Sequence, residues 1–596
     1  MWTTPFSKEK IAGTSNGRFS NNFGWRMAVV LNGTIVSSPT LDSPLRDSAM
    51  ITGSFSQREM NQLEGDLKAG SLTFTPKILS EKNVSPELGS KERKMGIWAT
   101  AIALMFVLVV MISYYRFGGL VASIAVIFNL LIMWATLQNM QATLTLASLA
   151  GLILTVGMAV DANVLVFERI REEFSVTGRI AAAVQAGYKK AFSAILDSNV
   201  TTLIAALILL RFDSGPIKGF AVTLIIGIVS SMFTALFMTK YFFSKWIQNP
   251  KNKSLTMMNA FEATHFNFLK YAKHAFAISI AFIAIGGAFL VKEKASLFGM
   301  DFTGGYALNL EINPSTDMNY RLAVEQALVK AGAKPQEIQV RELSPSNHIK
   351  VFLSRTLELP GRPLESSSAL SEVAGNLSSP KINWVVSSLQ KNGVQIEPNS
   401  LTLIQQNWSE VSGQMSETMR NSAVIGLLVA LACIFIYITI RFEFKYAISA
   451  TICLLHDVLF TFAAIAFLHA IGVPVQIDLN TIAALMTIIG YSLNDTIIVF
   501  DRIRENTQVM RKSPFTEIIN HALNTTLSRT IMTSGTTLLV LIPLIAMGGS
   551  TIFGFALVMG IGVIFGTLSS LFIAAPSMLF FHKKEKNKQQ RIALNG

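Results

Sequence analysis

The stretch 155–173 reads T-V-G-M-A-V-D-A-N-V-L-V-F-E-R-I-R-E-E and places Asp161 inside an apolar run. A second stretch, 487–506, reads T-I-I-G-Y-S-L-N-D-T-I-I-V-F-D-R-I-R-E-N and carries Asp495 in the same setting. At a constant offset of 333 residues, four identical residues align: Gly157 with Gly490, Phe167 with Phe500, Arg169 with Arg502, and Arg171 with Arg504. Chance similarity between two apolar segments does not explain this match, so the sequence predicts a tandem repeat.

The composition predicts a multi-span α-helical membrane protein. Hydrophobic residues make up 51% of the 596 residues and charged residues only 15%, and the mean hydropathy is +0.45. Several apolar runs are long enough to cross a bilayer as helices. Residues 1–22 are polar and show no cleavable signal. The only two cysteines, Cys433 and Cys453, lie in apolar runs, which predicts small core residues rather than a disulfide or metal site.

Eleven apolar segments are candidate spans. They are 96–115, 118–137, 143–167, 192–210, 217–243, 274–291, 422–440, 446–470, 479–500, 529–547 and 552–581. The repeat divides them into two pseudo-symmetric helical bundles, with five spans in the first half and six in the second. The extra span, 274–291, has no counterpart in the first half. We therefore expect that an upstream span and part of an exported domain are missing, through truncation, a split gene or a misassigned start.

The basic residues predict the orientation of the spans. They collect in alternate loops, at Arg169–Lys190, Lys245–Lys273, Arg502–Lys512 and Lys583–Arg591. Such loops face the cytoplasm by the positive-inside rule, so the net charge of +13 is a topological signal rather than a sign of nucleic-acid binding. This orientation places 1–95 and 292–421 outside the cytoplasm.

The predicted domains follow from the spans. They are the remnant of an exported domain (1–95), a five-span bundle (96–247), a cytoplasmic linker (248–273), a first span of the second half (274–291), an exported domain (292–421), a second five-span bundle (422–581) and a basic cytoplasmic tail (582–596). Both exported parts are predicted to be α+β, with a ferredoxin-like pattern. In 292–421 the predicted strands are 306–312, 338–342, 349–354 and 400–406, the predicted helix is 319–331, and 360–380 is a surface insertion. The segment 382–391 and the strand 400–406 lead from the insertion back to the membrane. In 1–95, strands 25–31 and 34–37 flank the turn Asn32-Gly33, and 57–69 is helical.

The two aspartates are the first candidates for function, because an intramembrane carboxylate costs about 2.5–3.5 kcal/mol on insertion scales and usually marks an ion or substrate pathway. Asp161 aligns with Asn494, while Asp495 lies one residue further on, so the polar face is rotated by one residue in the second copy. Glu168 and Asp501 fit a plainer interpretation, in which a carboxylate at the end of a span reaches water beside Arg169 or Arg502.

The following helix in each copy offers polar partners. In the second copy Arg529, Thr533 and Thr537 recur every four residues, and Arg529 is placed to pair with Asp495 inside the bundle or, alternatively, to extend to the cytoplasmic surface. In the first copy the supporting polar candidates include Asn163, and D-S-N-V-T-T contributes Asp197, Asn199 and Thr202, with no cation. Two carboxylates and one cation in a dry bundle can take up and release protons, since burial and charge compete over the carboxylate pKa.

Other functional classes fit less well. The chain has no G-x-x-x-x-G-K-[ST] motif, which excludes an ATPase of that type. Gly560, Gly562 and Gly566 resemble a dinucleotide fingerprint in letters, but glycines spaced within a span usually permit helix packing. An aspartyl protease with two intramembrane aspartates is disfavoured because Met158-Ala159-Val160, not G-x-G, precedes Asp161.

Several motifs, in order along nearly the whole chain, resemble one family. G-M-A-V-D-A-N-V-L-V-F-E-R-I-R-E-E and D-S-N-V-T-T-L resemble the SecD half, and F-G-M-D-F-T-G-G, G-Y-S-L-N-D-T-I-I-V-F-D-R-I-R-E-N and L-S-R-T resemble the SecF half, of the bacterial SecDF protein-export components. The family belongs to the resistance-nodulation-division superfamily. The resemblance implies proton-path roles for Asp161, Asp495 and Arg529, and it assigns Asp301, Gly304 and Gly305 to a structural motif.

The resemblance also implies partners and a location. It predicts a non-enzymatic accessory of the Sec translocase in the bacterial cytoplasmic membrane, without a cofactor, that acts with the SecYEG channel and associated export factors on unfolded preproteins. The alternative is a proton-coupled exporter of small molecules or lipids from the same superfamily, and the sequence leaves protons and sodium open as coupling ions. If two parallel repeats pack around an axis along the membrane normal, Asp161 and Asp495 should approach each other.

Overall fold

The structure is a computed structural model. It describes residues 28–31, 34–38, 56–57, 60–61, 64, 80–82 and most of 86–584, with gaps at 213, 250–254, 259–265, 293–296, 314–318, 335–336, 343–346, 359–360, 362, 365–379, 399 and 401–407. The chain forms two compact units, Met1–Ile78 and Leu79–Gly596. In the first unit, strand β1 (Val29–Leu31) pairs antiparallel with β2 (Thr34–Ser37), which confirms the predicted hairpin. The turn itself, 25–27 and most of the predicted helix 57–69 lie outside the described residues.

The second unit contains the eleven predicted membrane helices, all within its described part. The first bundle consists of α1 (Pro86–Tyr115), α2 (Phe117–Asn139), α3 (Leu146–Thr177), α4 (Ile180–Leu209) and α5 (Gly215–Ile247). The second consists of α6 (Phe268–Lys292), α10 (Gly413–Arg441), α11 (Phe444–Ala470), α12 (Leu479–Val509), α13 (Phe515–Met547) and α14, which runs from Gly549 to Lys584. The fold class predicted from composition and repeat is therefore confirmed.

Several helices are longer than the apolar runs that predict them. The helix α3 continues ten residues beyond 167, because its last three turns are polar but remain helix-forming, and it ends where Gly178 adopts φ +63°. The helices α5 and α14 each contain a π turn, Thr234–Met238 and Ser570–Ala574. The π turns lie in the last helix of each bundle, so the repeat extends to a local irregularity that hydropathy does not reveal.

The α+β region between α6 and α10 has the predicted ferredoxin-like order. After a single turn α7 (Met300–Thr303), the elements are β4 (Gly305–Glu311), α8 (Tyr320–Lys330), β5 (Ile338–Glu342), β6 (His348–Leu353), α9 (Pro380–Lys391) and β7 (Trp408–Val411). The antiparallel sheet has the order β3-β7-β4-β6-β5. Its edge strand β3 (Ser80–Lys82) comes from the segment just before α1, so the sheet joins both halves of the repeat.

One strand prediction in this region needs correction. Of the predicted strand 400–406, Ser400 is helical and the other residues lie outside the described part, whereas the strand that leads to α10 is β7. Most of the predicted insertion 360–380 also lies outside the described part. The remaining predicted strands match the observed strands within one residue at each end. In β6, for example, buried and partly buried residues alternate along the strand, which is the pattern that predicts a strand from sequence.

The two bundles interlock through glycines. A Cβ on Gly490 of α12 would lie 2.8 Å from the Cα of Thr202 on α4, and a Cβ on Gly157 of α3 would lie 3.4 Å from the Cα of Thr537 on α13. The two contacts are equivalent, because Gly157 aligns with Gly490 and Thr202 aligns with Thr537 in the repeat. Within the second bundle, a Cβ on Gly562 would lie 2.2 Å from the side chain of Ile488, so this glycine permits close packing of α14 on α12.

Candidate functional site

The central helices α3 and α12 are the most enclosed spans. The apolar window of α12 is fully buried and that of α3 is 89% buried, whereas that of the peripheral α6 is 11% buried. Every side chain from Leu479 to Phe500, apart from Asn480, is buried. Asp161 and Asp495 are therefore held away from the lipid-facing surface by the packing of both bundles.

Arg529 of α13 contacts the first bundle. Its Nη2 atom lies 3.8 Å from Oδ1 of Asp161, and both side chains are less than a tenth exposed. Asn494 of α12 donates a hydrogen bond to Oδ2 of the same carboxylate. Asp161 is thus bound by two residues of the second half, across the boundary between the bundles.

This geometry corrects two predictions about Arg529. Among the described residues its ion pair is with Asp161 rather than with Asp495. Arg529 is 4% exposed, so it does not extend to the surface of the helical bundle. The predicted approach of the two aspartates does occur, because Asp495 directly follows the residue that binds Asp161, and Asp495 also faces Arg529 and Ser534.

A small polar cavity of about 20 Å³ opens at this point, enough for a single water molecule. Asp161, Asn494 and Arg529 line it, together with Asn199 and Thr202 of α4. Several buried polar atoms there lack a hydrogen-bond partner among the described residues: Oδ1 of Asp161, Oδ1 of Asn494, and Nε and Nη1 of Arg529. A buried polar atom without a partner is costly, which favours an exchangeable ligand such as a proton or water at this position.

Several of the predicted supporting polar residues form hydrogen bonds within their own helices. Asn163, Asn199 and Thr202 donate to carbonyl groups of their own helices, at 3.0, 2.7 and 3.1 Å. The structure adds Tyr491, whose hydroxyl bonds Oγ1 of Thr537 at 2.9 Å and donates to the carbonyl of Thr533 at 3.3 Å. Tyr491 lies in the repeated motif beside Gly490, and its polar tip within an apolar run was a signal that could have identified it.

At the far ends of α3 and α12, four residues form a reciprocal ion-pair network, the ionic box. Arg169 bonds Glu505 at 2.5 Å, and Arg502 bonds Glu172. Each arginine also pairs with the glutamate three residues later on its own helix. At the offset of 333 residues, Arg169 aligns with Arg502 and Glu172 aligns with Glu505. The two helices therefore meet around a local two-fold axis.

Glu168 and Asp501 also lie near these helix ends, but their partners differ from those predicted. Glu168 pairs with Arg171 and accepts a 2.9 Å hydrogen bond from Tyr115, and Asp501 pairs with Arg504 at 2.8 Å. The side chain of Glu168 is 12% exposed, so its charge is met by protein groups more than by water.

Asp197 has a cation partner that the sequence did not indicate. Nε of Arg441, at the end of α10, lies 2.7 Å from its Oδ2 atom. The cation comes from the second half of the chain, so the sequence of the first copy by itself does not contain it. Cys433 is exposed on the outer face of α10 and Cys453 is buried, so the prediction of a core cysteine is wrong for Cys433.

The motif of Asp301, Gly304 and Gly305 connects the sheet to α12. Oδ2 of Asp301 accepts a 3.1 Å hydrogen bond from the backbone N–H of Leu479, the first residue of α12. Gly304 and Gly305 have φ values of +69° and +127°, which non-glycine residues rarely adopt. A Cβ on Gly305 would also lie 2.3 Å from the carbonyl oxygen of Leu353.

Comparisons with known proteins agree with this architecture. The family described as "Protein export membrane protein SecD/SecF, C-terminal" matches residues 68–249 and 395–584, and the "SecDF, P1 head subdomain" matches 12–74. The protein translocase subunit SecDF of Brucella abortus is 32% identical over 569 residues, covering 94% of this chain and 70% of that protein. The SecDF of Thermus thermophilus is 31% identical, covering 95% and 72%.

Solved structures show the same similarity. The crystal structure of SecDF from Thermus thermophilus, described as a translocon-associated membrane protein, matches with a TM-score of 0.74 and 29% identity, over 94% of this chain and 72% of that one. A crystal structure of SecDF in a super-membrane-facing form matches with a TM-score of 0.66 and 28% identity, over 95% and 72%. The chain belongs to the SecDF family of protein translocase subunits.

Proposed function

We propose that this protein is a non-enzymatic accessory subunit of the Sec translocase that uses the proton-motive force to assist late stages of preprotein export. Its relatives are named as protein translocase subunits, and one is described as translocon-associated. The observation that carries the proton role is the pairing of Asp161 with Arg529 across the bundle boundary, beside a polar cavity.

The residues can act as a switch in the following way. When Asp161 is ionised, its carboxylate holds Arg529 and accepts from Asn494, which joins the bundles. A proton on Asp161 removes its attraction for the guanidinium, and Arg529 then faces Asp495 as the remaining carboxylate. Protonation therefore biases the packing of one bundle against the other, provided that the two arrangements differ by only a few kcal/mol.

The proposed location is the bacterial cytoplasmic membrane, with the C-terminus in the cytoplasm. The basic loops favour this orientation, which places 1–95 and the sheet of 292–421 on the exported side. The proposed partners are the SecYEG channel with its associated export factors, and the proposed substrate is an unfolded preprotein. A sheet of five strands reaching into both halves offers a surface for an extended chain.

The coupling is tested by comparing Asp161→Asn, Asp495→Asn and Arg529→Ala with Asp501→Asn, a control on the same helix as Asp495 but paired with Arg504 at its end. Export of a secretory precursor into inverted membrane vesicles is measured with and without a proton gradient. We expect the three site variants to lose the gradient-dependent part and the control to keep it. Full stimulation in both aspartate variants contradicts the proton role.

The alternative, a proton-coupled exporter of small molecules or lipids, is tested separately. The cavity between the bundles has room for about one water molecule, which is too small for a drug or lipid. Crosslinking from exposed positions of 292–421, such as Leu322 on α8, to a stalled precursor is expected to give adducts. Absence of adducts, with altered drug efflux in a deletion strain, favours the alternative.

A further inference from the structure

A second buried ionisable cluster lies inside the second bundle, away from the cavity. His456 and Asp457 are adjacent on α11, and their side chains are 10% and 2% exposed. Nδ1 of the imidazole lies 3.1 Å from Oδ1 of the carboxylate. Neither residue lines the cavity between the bundles or contacts Asp161 or Arg529.

Three other helices of the bundle each face this pair with a serine. Ser492 of α12 donates to Oδ2 of Asp457 at 2.5 Å. Ser279 of α6 bonds Nε2 of His456, and Ser569 of α14 lies beside Asp457 at the start of the π turn. The pair therefore joins three helices through polar contacts in an otherwise apolar bundle.

In the part of the chain that the structure describes, few other ionisable groups lie near the pair. The Cys453 thiol, one turn earlier on α11, donates to Ser569 at 3.3 Å, and Asp495 lies three residues after Ser492 on α12. The helix α10, also packed on α11, approaches with Phe435 against Phe444, and its Arg441 is bound to Asp197. The counter-charge for a protonated His456 is therefore Asp457.

We propose that His456 and Asp457 form a second proton-binding site, in which a proton enters at Nε2 of His456 from the α6 side. In the unprotonated state Ser279 donates to Nε2, Nδ1–H donates to Asp457, and Ser492 donates to the other carboxylate oxygen. When the proton adds to Nε2, the imidazolium donates to Ser279, and the serine hydroxyl turns to a carbonyl of its own helix. The positive charge is balanced by Asp457, so the protonated pair is neutral overall.

Protonation of His456 acts on the helices that contact the pair. The helix α6 leads to the sheet, and α12 carries Asp495 and is capped by Asp301 of the sheet-linked motif. A proton on His456 reverses the hydrogen bond to α6 and adds a charge to the bond between His456 and Asp457 within α11. The use of this site in export rests on the proposed function, whereas proton binding itself does not.

The first bundle supplies an internal comparison. The helix α2, which occupies the place of α11 there, contains no ionisable residue. Its buried polar side chains are Ser123 and Asn129, and Asn129 accepts a hydrogen bond from Ser230 of α5. A neutral amide therefore serves the packing role in one bundle, so Asp457→Asn is a variant that the architecture should tolerate.

The test is a pH titration of full-length protein in lipid nanodiscs, with ¹⁵N-labelled histidine followed by NMR and His456 assigned with His456→Gln. We expect the ¹⁵N resonances of His456 to show that a proton adds at Nε2 as the pH is lowered. Asp457→Asn should lower its proton affinity at least tenfold, because the imidazolium loses its counter-charge. Asp161→Asn, outside this cluster, should leave the midpoint unchanged. If His456 stays neutral throughout, or if Asp457→Asn does not shift its midpoint, the proposal is wrong.

A second variant covers misfolding of Asp457→Asn. Ser279→Ala removes the partner of Nε2 and should shift the ¹⁵Nε2 resonance of His456 without altering those of the other histidines. An unchanged resonance overturns the entry route from α6. Loss of gradient-dependent export in Asp457→Asn supports the link to export. Retained export overturns that link even if His456 titrates, and wild-type export that ignores the gradient identifies failure of the proposed function instead.

Discussion

Nη2 of Arg529 lies 3.8 Å from Oδ1 of Asp161, across the boundary between two bundles that descend from one repeat. The pair differs from its counterpart, because the residue that aligns with Asp161 is Asn494, which donates to the same carboxylate. A single carboxylate is thus held by a cation and an amide from the other half. The boundary is therefore asymmetric, although the helices that form it are related by the repeat.

Removing either charge of this pair should destabilise the protein more than removing both. Arg529→Met leaves the Asp161 carboxylate buried without its cation, and we expect a loss of about 3 kcal/mol in the free energy of unfolding. The double variant with Asp161→Asn should recover part of that loss, since an amide needs no counter-charge. Denaturation of the four proteins in one detergent measures the coupling, and strictly additive losses would contradict a direct interaction.

The glycine contact between the bundles should resist enlargement. Gly490→Ala places a Cβ 2.8 Å from the Cα of Thr202, which a side-chain rotation cannot relieve. We expect a cost of about 1–3 kcal/mol, as for other overpacked cores. Gly535→Ala on α13 is the matched control, because its Cβ would meet nothing within 4 Å. Equal thermal midpoints for both variants would show that the contact is not tight.

The ionic box should contribute little to stability in salt. Glu505 is 31% exposed and Glu172 is 36% exposed, so water screens both pairs. We expect Glu505→Gln to cost no more than about 1 kcal/mol at low salt, and less at 1 M salt. Thermal midpoints at the two salt concentrations measure the effect. Lys445→Gln, whose partner Glu443 directly precedes the same helix α11, serves as a comparison. A salt-independent loss would indicate a packing role instead.

Asp301 should protect the start of α12. Its carboxylate accepts from the N–H of Leu479, while Asp478 accepts from Thr481 at 2.7 Å. Asp301→Ala leaves that N–H without this acceptor and should cost about 1 kcal/mol. Hydrogen exchange should become faster at Leu479, whereas Asp301→Asn, which retains an acceptor, should keep most of the protection. Equal exchange in both variants would rule out the cap.

The sheet region should lose stability in acid through Glu358. Burial alone would raise the pKa of Glu358, but hydrogen bonds from Tyr306 and Lys381, at 2.7 and 2.9 Å, outweigh it and hold the pKa below its ordinary value. Because the folded pKa is the lower one, the stabilisation is complete above the unfolded pKa and disappears as the pH falls through the folded value.

The comparison is wild type against Glu358→Gln, with hydrogen exchange of β4 and α9 corrected for the intrinsic rates. We expect stronger protection of the wild type at pH 7 and a shrinking difference below about pH 4.5. Glu311→Gln, at the other end of β4, serves as the control. A difference that persists unchanged at pH 3 would contradict an ionised Glu358 as the cause.

The sequence alone determined the membrane class, the eleven spans, the repeat and the two aspartates. The length of an apolar run and the recurrence of a motif can both be read from the sequence without knowing how the helices pack. The ferredoxin-like order was also readable, because strands such as β6 alternate visibly between buried and open sides. The ends of helices were less readable, since polar turns beyond an apolar run remain helical in α3.

Only the tertiary structure decided which charges meet. The sequence predicted an ion pair of Arg529 with Asp495, but the ion pair in the structure is with Asp161. Asp197 forms an ion pair with Arg441, which is 244 residues away in the sequence. The reason is physical: the bundles interlock, so α3 packs on α13 and α12 packs on α4, and the partners of a buried side chain come from the other half. Hydrophobic periodicity specifies which face of a helix is buried, but the neighbour that covers this face depends on how the two bundles dock.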